Sequence, residues 1–201
     1  MTLRAAWAAS AVLTLIAASA AAAEGDLARV PAGLYTPFQR SKAVNATELG
    51  PTAARPMAAF SLEVEPVTNS EFLAFVADHP EWRKSRVKAL FSDGRYLKRW
   101  PSDLALPDGA SRAEPVTDVS WFAAQAFCKA RGLTLPTTEQ WEYALADAGR
   151  GQPAVRARSL EWFSEPNGAR PGPIGGLANG YGVRDLVGLI WEWTYDPRNG
   201  S

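Results

Sequence analysis

The sequence predicts an α+β domain. Three observations carry this. Three short helical patterns each open on a Ser or Thr cap, brief apolar runs of strand length lie near the start, and long stretches without any sustained period separate them.

The elements follow in order. Ala28–Phe38 (ARVPAGLYTPF) is a short strand broken by Pro and Gly, Gln39–Pro56 is polar and turn-rich, and Met57–Val64 (MAAFSLEV) has the length and composition of a second strand. Thr68 then caps a helix, and Glu71 three residues later completes a capping box. Phe72, Phe75 and Val76 share one face of that helix before Pro80 stops it. Residues Glu81–Ala110 form an irregular excursion with short helices at most.

Ser120 caps a second helix, Trp121–Arg131, with Lys129 and Arg131 in its last turn and Gly132 at C′. Thr137 and Gln140 make a second capping box for a third helix. Trp141, Ala144, Leu145 and Ala148 line its face, and Gly149 is expected to end it. From Gly151 to Gly180 the chain reads as loop, and Tyr181–Asp196 clusters apolar residues around Trp191 and Trp193.

Residues 1–23 have the layout of a secretory signal peptide. Arg4 supplies the basic region, Ala5–Ala18 is apolar and free of acids, and Ala21-Ala22-Ala23 precedes Glu24. An uncleaved anchor is the alternative, but the run is Ala-rich and short against the ~20 apolar residues a span needs. The expectation is a single domain over residues 24–201, periplasmic or secreted, with no membrane association after cleavage.

Arg4 is the only charge in that leader, so 20 basic residues would face 21 acidic ones, a net of −1. A near-neutral chain offers no electrostatic case for nucleic acid. A hydrophobic fraction of 47% and eight Trp favour a packed domain over a disordered one. Cys128 is the only cysteine, so no internal disulfide exists. His79 is the only histidine, which argues against the multi-histidine sites of most zinc and non-haem iron enzymes.

Four segments together resemble one family: Arg29–Gly33 (RVPAG), Pro66–Phe72 (PVTNSEF), Pro115–Cys128 (PVTDVSWFAAQAFC) continued by Leu135-Pro136-Thr137 and Trp141–Ala144, and Asn179–Trp193 (NGYGVRDLVGLIWEW). In this order they are similar to the formylglycine-generating enzyme, or sulfatase-modifying factor, domain. The resemblance implies a C-type lectin-like fold of short twisted sheets, about three helices and much ordered loop. Thr68, Glu71, Ser120 and Thr137 are accounted for as helix caps, worth ~1 kcal/mol each. Trp121, Trp141, Trp191 and Trp193 are expected to pack into core or loops in preference to stacking on a ligand.

Asp185, Gly188, Ile190 and Glu192 match a calcium site of that family, implying side-chain oxygens from Asp185 and Glu192 and backbone carbonyls from the other two. Such a mixture suits Ca²⁺, which takes 6–8 oxygen ligands. From the residues alone, Asp185 could instead cap a turn and Glu192 pair with Arg184.

The resemblance also implies a copper-dependent oxidation by two cysteines C-terminal of the WEW segment, a thiolate pair suited to Cu(I). The chain ends at Ser201 without that pair, and the family's closing strands are expected to be absent. Cys128 reads as a buried small hydrophobe.

The leading expectation is thus a non-catalytic or incomplete accessory module in the maturation of another exported protein or peptide. The rivals are a truncated oxidase modifying a protein or peptide, and a calcium-dependent lectin-like binder carrying Glu165-Pro166-Asn167.

Overall fold

The computed structural model of the protein describes residues 27–37, 53–147 and 171–196, with Ala157, Leu160, Glu161, Trp162 and Ser164 between the last two spans. It is α+β, as the sequence predicts. Strands β1 (Leu27–Val30) and β4 (Phe60–Glu63) pair antiparallel, as do β2 (Gly33–Tyr35) and β3 (Arg55–Met57).

The two pairs form one ribbon with a gap. Leu27 faces Glu63, Val30 faces Phe60, Gly33 faces Met57 and Tyr35 faces Arg55, so the register runs unbroken across the interruption. The gap lies at Pro31-Ala32 opposite Ala58-Ala59, which divides the single strand expected over Met57–Val64. Pro31 has no N–H to donate to a ladder. The gap also changes which positions face inward: Ala28 and Val30 are buried in β1, but Tyr35 in β2. A period of two carried through the break would have put Tyr35 on the outside.

The Tyr143 hydroxyl reaches that gap. It donates to the Pro31 carbonyl at 3.1 Å, and a Cβ on Gly33 would lie 2.3 Å from the hydroxyl oxygen. Val30, Tyr35 and Tyr143 form a small buried cluster there, with Met57, Phe60 and Leu62 against it.

The helices are α1 (Asn69–Asp78), α2 (Trp121–Ala130) and α3 (Thr138–Ala146). Both expected capping boxes form: Thr68 with Glu71, and Thr137 with Gln140. Ser120 Oγ accepts from Ala123 N–H, and Gly132 takes the left-handed conformation just beyond α2.

Helix α3 ends earlier than expected, at Ala146. Asp147 turns the chain at φ 49 and is buried, its carboxylate accepting from Gly180 N–H at 3.1 Å. Ala148 and Gly149 lie outside the described residues. Within the stretch expected to be loop, Ala157, Leu160, Glu161, Trp162 and Ser164 are helical.

The main core joins α1 to α2. Phe72 and Phe75 pack on Phe127 with ring centroids 5.9 and 5.5 Å apart, and Cys128 is buried among them. The excursion after α1 contributes Tyr96, Leu97 and Trp100 to this core, more than its irregular pattern suggests. It is held by Lys84 Nζ, which donates to the carbonyls of Lys98 and Trp100. No helix among the described residues is long and apolar enough to cross a membrane.

Candidate functional site

Residues 171–196 have no ladder of their own among the described residues, and their order is borrowed from side chains. Asn179, buried, donates from Nδ2 to the Ala144 carbonyl at 2.9 Å. Its Oδ1 accepts the N–H groups of Tyr181 and Val183, both at 3.0 Å. Farther along, Thr138 N–H donates to the Tyr195 carbonyl, and Tyr195 N–H to that of Pro136. These ties hold the expected calcium residues against α3.

Asp185 sits at φ 56 and is buried. Its Oδ2 accepts Gly175 N–H at 2.8 Å and Gly176 N–H at 3.0 Å, so a turn-capping role is real. Glu192 does not pair with Arg184. Its Oε2 accepts Trp141 Nε1–H at 2.7 Å, while Arg184 donates to the Gly175 and Gly176 carbonyls and lies 4.0 Å from Glu65. Burial pushes the Glu192 carboxyl up to about 7, with the charges of Asp185 and Glu63 adding and the Trp141 hydrogen bond opposing.

Asp185, Gly188, Ile190 and Glu192 are all among the residues that line one large groove. Carboxylates and backbone carbonyls are oxygen donors of the kind Ca²⁺ takes. Two carboxylates lie in one electrostatic neighbourhood, each with one oxygen in a hydrogen bond, on backbone that includes two left-handed residues, Asp185 and Gly188. Among the described residues no group of three or more acidic, His or Cys side chains gathers, so further ligands would come from carbonyls or water.

That groove has a volume of about 1500 Å³. One wall comes from residues 90–99, another from the turn into α2, and a third from residues 171–193. Leu90, Phe122, Leu177, Trp191 and Trp193 line it, and these are five of the eight large apolar side chains exposed among the described residues.

Two of the tryptophans expected to pack into core or loops are largely exposed, packing on loops and not in the core. Trp191 is 66% exposed and Trp193 49%. Trp193 is still fixed, because Nε1–H donates to the Val119 carbonyl at 2.8 Å, and Trp191 lies 4.6 Å from the Trp162 ring. Trp121 and Trp141 spend their N–H groups on Thr194 and Glu192.

A second cavity of about 400 Å³ lies behind, between β4, α2 and residues 183–193, and Cys128 borders it. Burial pushes the Cys128 thiol up to about 11; the Glu63 carboxylate adds to this and Arg131 opposes it. Arg131 Nη1 lies 2.6 Å from Glu63 and its guanidinium 5.3 Å from the Phe127 ring centre. The thiol is therefore neutral at pH 7, as suits a packing residue.

Sequence reasoning missed Leu90, Phe122 and Leu177 as a set. No local pattern links them, and only the fold puts three distant segments around one space.

Residues 14–199 match the sulfatase-modifying factor enzyme 1-like domain. Over 187 residues the chain is 29% identical to the inactive C-alpha-formylglycine-generating enzyme 2 of Bos taurus, covering 72% of this chain and 62% of that protein. It is 31% identical over 168 residues to the hercynine oxygenase of Mycolicibacterium thermoresistibile, covering 69% of this chain and 36% of that relative. Against the formylglycine-generating enzyme of Mus musculus it is 33% identical over 100 residues, 41% of this chain and 27% of that enzyme. The alignments thus span less than two thirds of each relative's own length.

Proposed function

Because the chain belongs to the sulfatase-modifying factor enzyme 1-like domain family, we propose that it is an exported, non-catalytic member that holds a peptide segment of another exported protein during that protein's maturation. The observation that carries this reading is the groove, open and lined by exposed Trp191, Trp193, Phe122 and Leu90. Aromatic and aliphatic side chains left in water on one concave face fit a peptide better than a small polar substrate. The groove's lining includes neither Cys128 nor His79, so it carries no thiol or imidazole for chemistry.

The family's copper oxidation calls for a pair of thiolates, whereas this sequence holds one cysteine, buried and kept protonated. A structural calcium ion belongs to the same reading. Asp185 and Glu192 would give carboxylate oxygens and Gly188 and Ile190 carbonyls, and the ion would offset the charge of the two carboxylates and stiffen the groove's third wall.

The test incubates purified protein with a Cys-containing sulfatase-type peptide, with and without copper, and follows both binding and mass. Binding without aldehyde formation is expected. Cys-dependent aldehyde above the no-protein control would replace this reading with the oxidase one.

A further inference from the structure

Strand β4 has one ladder neighbour among the described residues, β1. Main-chain groups alternate sides along a strand, so of Ser61 and Leu62 one turns its N–H and C=O toward β1 and the other turns them away. Outside that ladder, nothing among the described residues bonds either of them. Just past the strand the Val64 carbonyl accepts Arg184 N–H at 2.7 Å, so the chain is partnered again there.

Ser61 and Leu62 both border the cavity of about 400 Å³, and so does the run from Gly132 to Pro136. Leu133 N–H donates to the Cys128 carbonyl at 2.9 Å, and the Pro136 carbonyl accepts Tyr195 N–H at 2.9 Å. Between them, Thr134 and Leu135 make no main-chain bond among the described residues. Leu135 is buried, where a main-chain group without a partner is costly. Phe127, Leu133, Leu186 and Ile190 add apolar lining to the same space.

We propose that this cavity takes an extended, apolar segment of a partner protein, which adds to β4 as a further strand and turns alternate side chains to the apolar lining. The inference stands apart from the groove reading, since it uses another space and another kind of contact. The open main chain selects the occupant. A small apolar molecule or an acyl chain would fill the volume and leave the edge of β4 unbonded, and water would serve the edge but wet the apolar lining. An extended peptide answers both needs, with donors and acceptors along its edge and an apolar group at every second residue.

Charge selects the flanks. Glu63, Glu65 and Glu192 border the cavity against Arg184 alone. Even with Arg131, which pairs with Glu63 at 2.6 Å from outside the lining, carboxylates are in excess. A segment flanked by Lys is therefore favoured over one flanked by Glu.

The probe is a fluorescein-labelled Lys-Val-Thr-Val-Thr-Val-Lys peptide, with binding to the purified protein read by anisotropy. Two comparison peptides are N-methylated on the main chain, one at every Val and the other at every Thr, which removes the donors from one edge at a time. Two more put Ser for each Val or Glu for each Lys. The parent is expected to bind, and one N-methylated form and the Ser form to bind about tenfold more weakly. Glu flanks should weaken binding most at low salt. Hydrogen exchange at residues 60–63 should slow when the parent binds, because a new ladder protects those amides. Ala124→Phe sets a ring into the cavity wall and should also weaken binding about tenfold. If that variant fails to fold, the N-methylated pair carries the test.

Both N-methylated forms binding as the parent does would mean that no ladder forms, and overturns the proposal. Equal binding of the Val and Ser forms overturns it too, and equal binding of the Lys and Glu forms overturns the charge assignment. Loss of binding in Phe122→Ala, a residue that borders the groove and not this cavity, would move the peptide to the groove. That result overturns the proposal and leaves the groove reading intact. Dimerisation in sedimentation that Ala124→Phe abolishes, with no peptide bound, gives the edge to a second copy of this chain and overturns the partner. Absence of both peptide binding and dimerisation overturns the site itself.

Discussion

The Asp185 carboxylate is seated against the backbone of Gly176, accepting its N–H at 3.0 Å, and a Cβ on Gly176 would fall 2.3 Å from Asp185 Oδ1. No side chain fits there unless the carboxylate moves. Gly176→Ala should therefore destabilise the fold by about 1–3 kcal/mol. For a domain of this size, that is a fall of several °C in Tm. Gly94, where a Cβ would meet nothing within 4 Å, is the control, and Gly94→Ala should leave Tm nearly unchanged. Equal effects at both positions would mean that the seat is not tight.

Calcium is expected to raise the thermal midpoint through Asp185 and Glu192. An ion bound only to the folded state stabilises by ~2.7 kcal/mol at a hundredfold excess over Kd. Magnesium should do little, since it demands tighter octahedral geometry. Glu192→Gln retains an oxygen for Trp141 Nε1–H but removes the charge, so it should abolish the calcium response without unfolding the chelated protein. A melt in which wild type and variant respond alike would place the ion elsewhere or nowhere.

Cys128 should resist thiol reagents at pH 8 in the native protein and react on unfolding. Its folded pKa is raised to about 11, so the folded state holds the thiol proton more tightly than the unfolded chain does. The resulting stability is complete below the ordinary thiol range, near 8.5, and is lost as pH rises from there to about 11. Cys128→Ala should remove this alkaline loss. Fast native labelling at pH 8 would contradict the burial.

Asn179→Ala would leave two N–H groups and the Ala144 carbonyl without their present partner, at a cost of about 2–4 kcal/mol. Asn179→Asp keeps the two accepted bonds and loses only the donor, so urea midpoints should fall in the order wild type, Asp, Ala. An Asp variant less stable than Ala would show that the uncompensated charge outweighs the hydrogen bonds.

Export predicts a processed N-terminus. Sequencing of periplasmic material should begin at Glu24, because Ala21 and Ala23 meet the small-residue requirement of the cleavage site. Recovery of Met1 in a membrane fraction would make the segment an anchor.

The caps were legible because a Ser or Thr just ahead of a helical apolar pattern is a local signal, reinforced by Glu71 and Gln140 at two of them, and Thr68, Ser120 and Thr137 all cap as read. The end of α3 was not, because Asp147 is turned by Gly180, 33 residues away. Similarly, the four expected calcium residues could be named from one short segment. The groove they share could not, since its other walls come from residues around 90 and 120.

The gap in the β-ribbon sets where this chain can change length. In sequence, residues 36–54 connect the paired residues Tyr35 and Arg55, and lengthening a loop costs only ~0.6 kcal/mol per doubling. An insertion or deletion at Pro31-Ala32 or Ala58-Ala59 is different in kind. Register is continuous across two residues on each side, and the Tyr143 hydroxyl is bonded to the Pro31 carbonyl there. One residue more or fewer would turn Val30 or Tyr35 outward and leave that hydroxyl without its carbonyl. Variation in length should therefore gather in one end of the hairpin and be excluded from its middle.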